Sequence, residues 1–166
     1  MKIKLNSKIL VIFLGVFLIG TMLFSVFAGP LLQSSNIQSN LDLPKTNIIN
    51  YQLDTNAKNA FMQYGVTIIT FDYNLGCENC IAQKSTLEFF ANEYKPSLNK
   101  PEITIDDIYG KIFLEELVDE SLDKSKITIS SVYGEDSLID ANETGIVSTL
   151  CKLMVAPPVA CALQKT

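Results

Sequence analysis

The sequence predicts an α/β layered domain standing behind a single N-terminal transmembrane helix. Three observations carry that expectation: an uncharged apolar run from Ile9 to Ala28, an alternation of β-branched runs with amphipathic stretches after residue 55, and a Cys-x-x-Cys pair where one such run gives way to a helix. Strands alternating with helices of this length favour parallel pairing, and sites then form at the C-terminal ends of strands.

At 166 residues there is room for one domain, and part of the length goes to the N-terminus. Residues 9–28 are about 20 in a row without charge, enough to span ~30 Å of hydrocarbon as a helix. Lys2, Lys4 and Lys8 precede them, so residues 1–8 read as a cytoplasmic tail and everything after Gly29 as external. The expectation is a single-pass cell-membrane protein with its C-terminal domain outside the cytoplasm. A secretory signal cut after Val26-Phe27-Ala28 would use the same residues, but the run exceeds the usual ~7–15-residue signal core, which favours a retained anchor. A buried core helix would carry an apolar stripe, whereas here apolar side chains run all the way round.

Residues 29–54 read as a linker, with Gln33 to Asn40 rich in Ser, Asn and Gln and a flexible span on the order of 25–30 Å. Taking the three tail lysines from the formal charge of −5 leaves the external part at −8, which speaks against nucleic acid as a partner. No histidine occurs, which removes His-based general-base chemistry, Ser/His and Cys/His hydrolases and His-ligated metal sites. No cofactor is implied.

The domain, residues 55–166, opens with a helix from Thr55 or Asn56 to Tyr64, stopped by Gly65. Val66 to Tyr73 is β-branched and aromatic, as a central buried strand requires, and Asn74-Leu75-Gly76 is its turn. A helix from Ile81 to Tyr94 carries Leu87, Phe90, Ala91 and Tyr94 on one face and ends before Pro96. Pro101 to Asp106 alternates as a second strand, and Ile112 to Leu122 reads as an amphipathic helix with Glu115, Glu116, Asp119 and Glu120 on its solvated face. Lys126 to Tyr133 is a third strand closed by Gly134. A last helix starts near Asn142 or Glu143 and stops before Pro157-Pro158. Asn142-Glu143-Thr144 fits a glycosylation acceptor, and fits a helix cap better.

Cys77 and Cys80, in Gly76-Cys77-Glu78-Asn79-Cys80, stand where a helix N-terminus presents unpaired N–H groups and partial positive charge, the setting that stabilises a thiolate. Cys80 falls about one turn from Cys77, and the two close into a disulfide only if Cys77 stands outside or at the first helical position. Glu78 between them opposes the thiolate and makes the pair less oxidising. Without histidine, the proton leaving Cys80 needs a carboxylate or water, and Asp72 is the candidate acid. Cys151 and Cys161 flank the double proline; they read as a structural disulfide clip or as a second redox pair able to exchange with the first. A zinc site of all four cysteines remains an alternative, against which stand the wide spacing of the second pair and an oxidising compartment.

A buried strand from Val66 to Tyr73, a short turn, Cys77-x-x-Cys80 and a long amphipathic helix together resemble the thioredoxin-like superfamily over about Ala57 to Tyr133. The resemblance implies a layered domain with a central mixed sheet, in which Cys77 is the attacking thiolate and Cys80 resolves the mixed disulfide. It implies a divergent member. Gly76 stands where thioredoxins proper carry Trp, Pro157 or Pro158 would serve as the cis-proline, and the closing β-hairpin and helix would be incomplete after them. The expected function is a membrane-anchored thiol–disulfide oxidoreductase whose partners are exported protein thiols and disulfides, a redox partner protein, and the membrane through residues 9–28. The rivals are a non-catalytic binding domain stapled by disulfides and a four-cysteine metal module.

Overall fold

The computed structural model describes residues 44–159 and 161, all within the unit Asn36–Thr166. The span read at residues 9–28, the tail before it and the linker as far as residue 43 lie outside the described residues. Among those described, no helix is long and apolar enough to cross a membrane.

Among the described residues nine elements follow one another: β1 (Ile48–Ile49), α1 (Thr55–Gln63), β2 (Thr67–Tyr73), α2 (Cys80–Glu93), α3 (Ile105–Ile108), β3 (Ile112–Val118), β4 (Lys126–Ser131), β5 (Gly134–Ile139) and α4 (Glu143–Leu153). The strands form one mixed sheet in the order β1-β3-β2-β4-β5, with β1, β3 and β2 parallel and β4 and β5 antiparallel. Successive β2 side chains leave opposite faces. Ile69, Phe71 and Tyr73 join Cys80, Leu87 and Phe90 of α2 and Ile146 and Leu150 of α4 in one layer; Ile68 joins Ala57 and Phe61 of α1 and Phe113 of β3 in the other. A strand buried on both faces explains its nearly unbroken apolar run.

α1, α2 and α4 form close to where local pattern puts them. Asp54, one residue ahead of the expected start, caps α1 by accepting from the N–H groups of Asn56 and Ala57 at 2.8 and 3.0 Å. Gly65 ends that helix at φ 79°, and a Cβ there would sit 2.7 Å from the Tyr109 ring, so both conformation and space demand glycine. Asn142 caps α4 through Gly145 N–H at 2.9 Å, the cap reading of the Asn142-Glu143-Thr144 triplet.

Four expectations are corrected. The domain begins inside the stretch read as linker: β1 pairs with Leu114 and Glu115, and buried Asn47 donates to the carbonyls of Ala91 and Ile112 at 2.7 and 3.2 Å, joining the end of α2 to the start of β3. Two residues of strand carry no periodic signal. The stretch read as a second strand gives α3 instead, begun by Thr104, whose N–H and hydroxyl both donate to Asp107 at 3.0 and 2.9 Å. The amphipathic helix read at Ile112 to Leu122 is β3. Of its acids, Asp119 and Glu120 are exposed, but Glu115 is fully buried and accepts from Lys58 Nζ (2.7 Å), Thr70 Oγ1 (2.6 Å) and Leu53 N–H (2.7 Å), while Glu116 pairs with Lys84 at 2.7 Å. Buried charges are tolerated when paired and hydrogen-bonded, and those partners come from other elements. Gly134, expected to close the third strand, opens a further one, β5, whose residues are at most partly covered on one face.

A hairpin and a helix, β4, β5 and α4, stand ahead of the double proline. Among the described residues Pro157 and Pro158 precede no strand, and no peptide bond is cis. No helix lies between β3 and β4. The hairpin face opposite Ile127 and Ile129 carries Thr128, Ser130, Glu135 and Ser137, joined across the strands by Thr128–Ser137 (3.2 Å) and Ser130–Glu135 (2.8 Å), so that face can remain wet.

Candidate active site

Strand order decides where the site lies. β3 and β4 flank β2 on opposite sides, and Tyr73 pairs with Val118 while Asp72 pairs with Lys126, so the chain between β3 and β4 crosses the C-terminal end of β2. The cysteine turn leaves β2 at that same end. Asn74 binds the two together: its Nδ2 donates to the carbonyls of Glu120 and Leu122 at 3.0 and 3.3 Å, and its Oδ1 accepts from Gly76 N–H at 2.8 Å.

That turn leaves Cys77 half-buried just outside α2 and makes Cys80, 3% exposed, the first residue of the helix. They form a disulfide with a Cα separation of 5.3 Å, the geometry required of a cysteine standing before the first helical position. The helix start is open in a way the others are not. Asp54 and Asn142 cap α1 and α4, but Asn79 at the start of α2 makes no capping bond and sends its side chain to Asp140 at 3.3 Å instead. First-turn N–H groups without a side-chain acceptor remain to stabilise a neighbouring thiolate. Leu75 and Ile81, 70% and 78% exposed, flank the pair.

Asp72 is not brought to the cysteines. By strand alternation it shares a face with Ile68 and Thr70, the α1 side, whereas Cys80 packs with Tyr73 on the other. Its carboxyl is pushed above the usual range, first by burial, against the lowering effect of Lys126. The acids on the cysteine side are different ones. Glu116, in register with Phe71, takes Lys84 Nζ at 2.7 Å, and Lys84 stands one turn beyond Cys80. Lys84 also lies 3.4 Å from the Tyr73 hydroxyl, 5.5 Å from that ring's centroid, and 3.8 Å from Glu88. The Glu116 hydrogen bond, outweighing burial, holds the Lys84 pKa up. Burial, then the charge of Glu116, raises the pKa of Glu88. Oε1 of Glu116 is buried without a hydrogen-bond donor. Lys84 could have been found from its i, i+4 spacing to Cys80; nothing local in the sequence ties Glu116 to it.

Cys151 and Cys161 form a second disulfide, with a Cα separation of 5.4 Å. It lies at the other end of the sheet. α4 starts beyond Ile139, which pairs with Lys126 at the cysteine-turn end, and its 11 residues carry the chain about 16 Å away, to where Ala156 meets Gly110 just before β3. With the pairs separated by most of the length of α4, direct exchange between them would need a large movement, and no group of three or more metal-ligating side chains gathers among the described residues. No protein-family model, no curated protein and no solved structure matches this chain.

Proposed function

We propose that the chain is a thioredoxin-like thiol–disulfide oxidoreductase, held to the membrane by residues 9–28 with its domain outside, which exchanges disulfides with exported proteins and is recharged by a redox partner protein. The observation that carries the reading is a half-buried Cys77, bonded to a buried Cys80, at the uncapped start of α2 and the C-terminal end of the sheet's middle strand. A disulfide meant only as a staple has no need of an open helix terminus. The mixed sheet with its closing hairpin and helix supports the thioredoxin-like reading, and the charge-free run behind three lysines supports the anchor.

In the reducing direction the Cys77 thiolate attacks a substrate disulfide, forming one S–S bond and releasing one substrate thiolate. Cys80, deprotonated, then attacks Cys77 Sγ; the second substrate thiolate leaves, and two electrons have passed from the dithiol to the substrate. The reverse sequence oxidises a substrate dithiol. Desolvation opposes ionisation of buried Cys80, so its proton needs an acceptor on the same face, and the Glu116–Lys84 pair with Glu88 takes that role in place of Asp72. The test is alkylation with mass mapping of the full chain equilibrated over a series of glutathione potentials. Cys77 is expected to be the first thiol labelled as the pair opens. A Cys77 that stays unlabelled at every potential would leave only a cross-linked scaffold.

A further inference from the structure

Gln83 is a whole amide, 4% exposed, on the inward side of α2 one turn past Cys80. Burying an amide is costly unless both ends are satisfied. Its Nε2 donates to the Ala141 carbonyl at 2.8 Å, and its Oε1 accepts from the hydroxyl of Ser125 at 2.6 Å, a fully buried residue immediately before β4. The Ser125 carbonyl accepts from Asp140 N–H at 3.0 Å, and Asp140, held at a left-handed φ of 48°, accepts from the Asn79 side chain at 3.3 Å. Gln83 N–H donates in turn to the Asn79 carbonyl at 3.2 Å. Asn79, Asp140, Ser125 and Gln83 thus close a ring around the first turn of α2. Beside it a cavity of about 280 Å³ separates the starts of α2 and α4, lined by Asn79, Gln83, Asp140 and Glu143 among others. On the core side Cys80 packs with Tyr73 and Leu87, and on the cavity side these polar bonds hold the helix start.

Building on the redox reading, we propose that Gln83 and Ser125 are positioning residues that set the reduction potential of the Cys77–Cys80 pair. In the disulfide, the S–S bond itself pins Cys77 to the helix. In the dithiol that bond is gone, and the ring, together with the packing of Cys80 into the core, keeps the first-turn N–H groups aligned on the Cys77 sulfur. Loosening the ring therefore costs the dithiol more than the disulfide. The potential becomes more negative, and the Cys77 thiol loses acidity.

The test equilibrates the full chain with glutathione buffers and titrates Cys77 by alkylation rate against pH. For Gln83→Leu the dithiol-to-disulfide equilibrium constant should fall about tenfold, close to 30 mV, with a raised Cys77 pKa. Ser125→Ala should move both quantities the same way, and the double variant should add little to the larger single effect. Thr86→Ala, on the same helix and cavity but outside the ring, should change neither. Should Gln83→Leu fail to fold, Ser125→Ala carries the test alone. A wild-type pair that opens, with the variants' midpoints unmoved, overturns the proposal while leaving the redox reading standing. A wild-type pair that no glutathione potential opens overturns both.

Discussion

Replacing Cys151 and Cys161 together by alanine separates the two readings of the second disulfide, because a clip and a redox relay respond differently. The bond closes a loop with a sequence separation of 10. Releasing a loop of that size to the unfolded chain costs the folded state about 2.7 kcal/mol at 25 °C on the chain-entropy account. For a domain of roughly 115 residues the unfolding entropy is about 0.24 kcal/mol/K, so the unfolding midpoint should drop by about 11 °C. Cys161 is buried, and alanine avoids putting an unpartnered hydroxyl in its place. Calorimetry of the full chain reads the stability, and a glutathione titration of the same sample reads the Cys77–Cys80 midpoint, which should not move because the clip lies at the far end of α4. A midpoint of unfolding within about 3 °C of the native value, or a shifted redox midpoint, would refute the assignment of a stabilising clip.

Lys58→Met should cost about 3–5 kcal/mol in urea unfolding, since it leaves the fully buried Glu115 carboxylate without its countercharge; a loss below about 1 kcal/mol would contradict the buried pair. Glu116→Gln should slow the decay of a mixed disulfide at Cys77 by of order 10²-fold at pH 7, whereas Asp72→Asn should not; equal effects in stopped-flow single turnovers would undo the assignment of the proton acceptor. Asp107 is held down from 3.8 to about 2, first by the Lys100 ammonium and then by Thr104. A carboxyl lowered on folding adds stability above its unfolded value, and that share is lost as pH falls through the folded one. Acid unfolding of Asp107→Asn should therefore be shallower than wild type between pH 3.8 and about 2, and superimposable curves would argue against the Lys100 and Thr104 contacts.

What could be read from the sequence was whatever one element says by itself. The residues of β2 announce a doubly buried strand, Leu87, Phe90 and Ala91 mark the inner face of α2, and the junction between these two places Cys77 and Cys80. β3 defeated the same reasoning because Phe113, Leu114, Leu117 and Val118 fit a helical stripe, whereas the strand they form buries Phe113 and Leu114 on opposite faces. The deciding facts, Lys58 opposite Glu115 and Lys84 opposite Glu116, belong to contacts 57 and 32 residues away in sequence. β1 is too short to show a period, and β5, with Gly134, Glu135, Asp136 and Ser137, looks like a turn until β4 is there to pair it. Asp72 was chosen for nearness along the chain, yet period-two geometry sends it to the opposite face from Tyr73 and the cysteines. The half of the site carried by α2 was thus legible, and the half carried by β3 and the loop before β4 was not.

The direct connection from β3 to β4 bears on both halves. With Thr128, Ser130, Glu135 and Ser137 making the outer face of the hairpin polar, no helix is needed to cover it, and seven residues, Asp119 to Ser125, suffice to cross from β3 to β4. A connection that short is drawn tightly over the end of β2, which is why Asn74 can hold it at two carbonyls and why its last residue, Ser125, arrives buried against Gln83 rather than in solvent. Polar side chains on one face of the hairpin thereby permit the close approach of a loop to the disulfide helix on the other. Lengthening that loop by a few Gly and Ser residues after Leu122 should relax both contacts at once, with the cysteine geometry and the sheet left intact. Its effect on the Cys77–Cys80 midpoint should then match that of Ser125→Ala, and a larger shift would mean that the loop acts on the pair by a route other than Gln83.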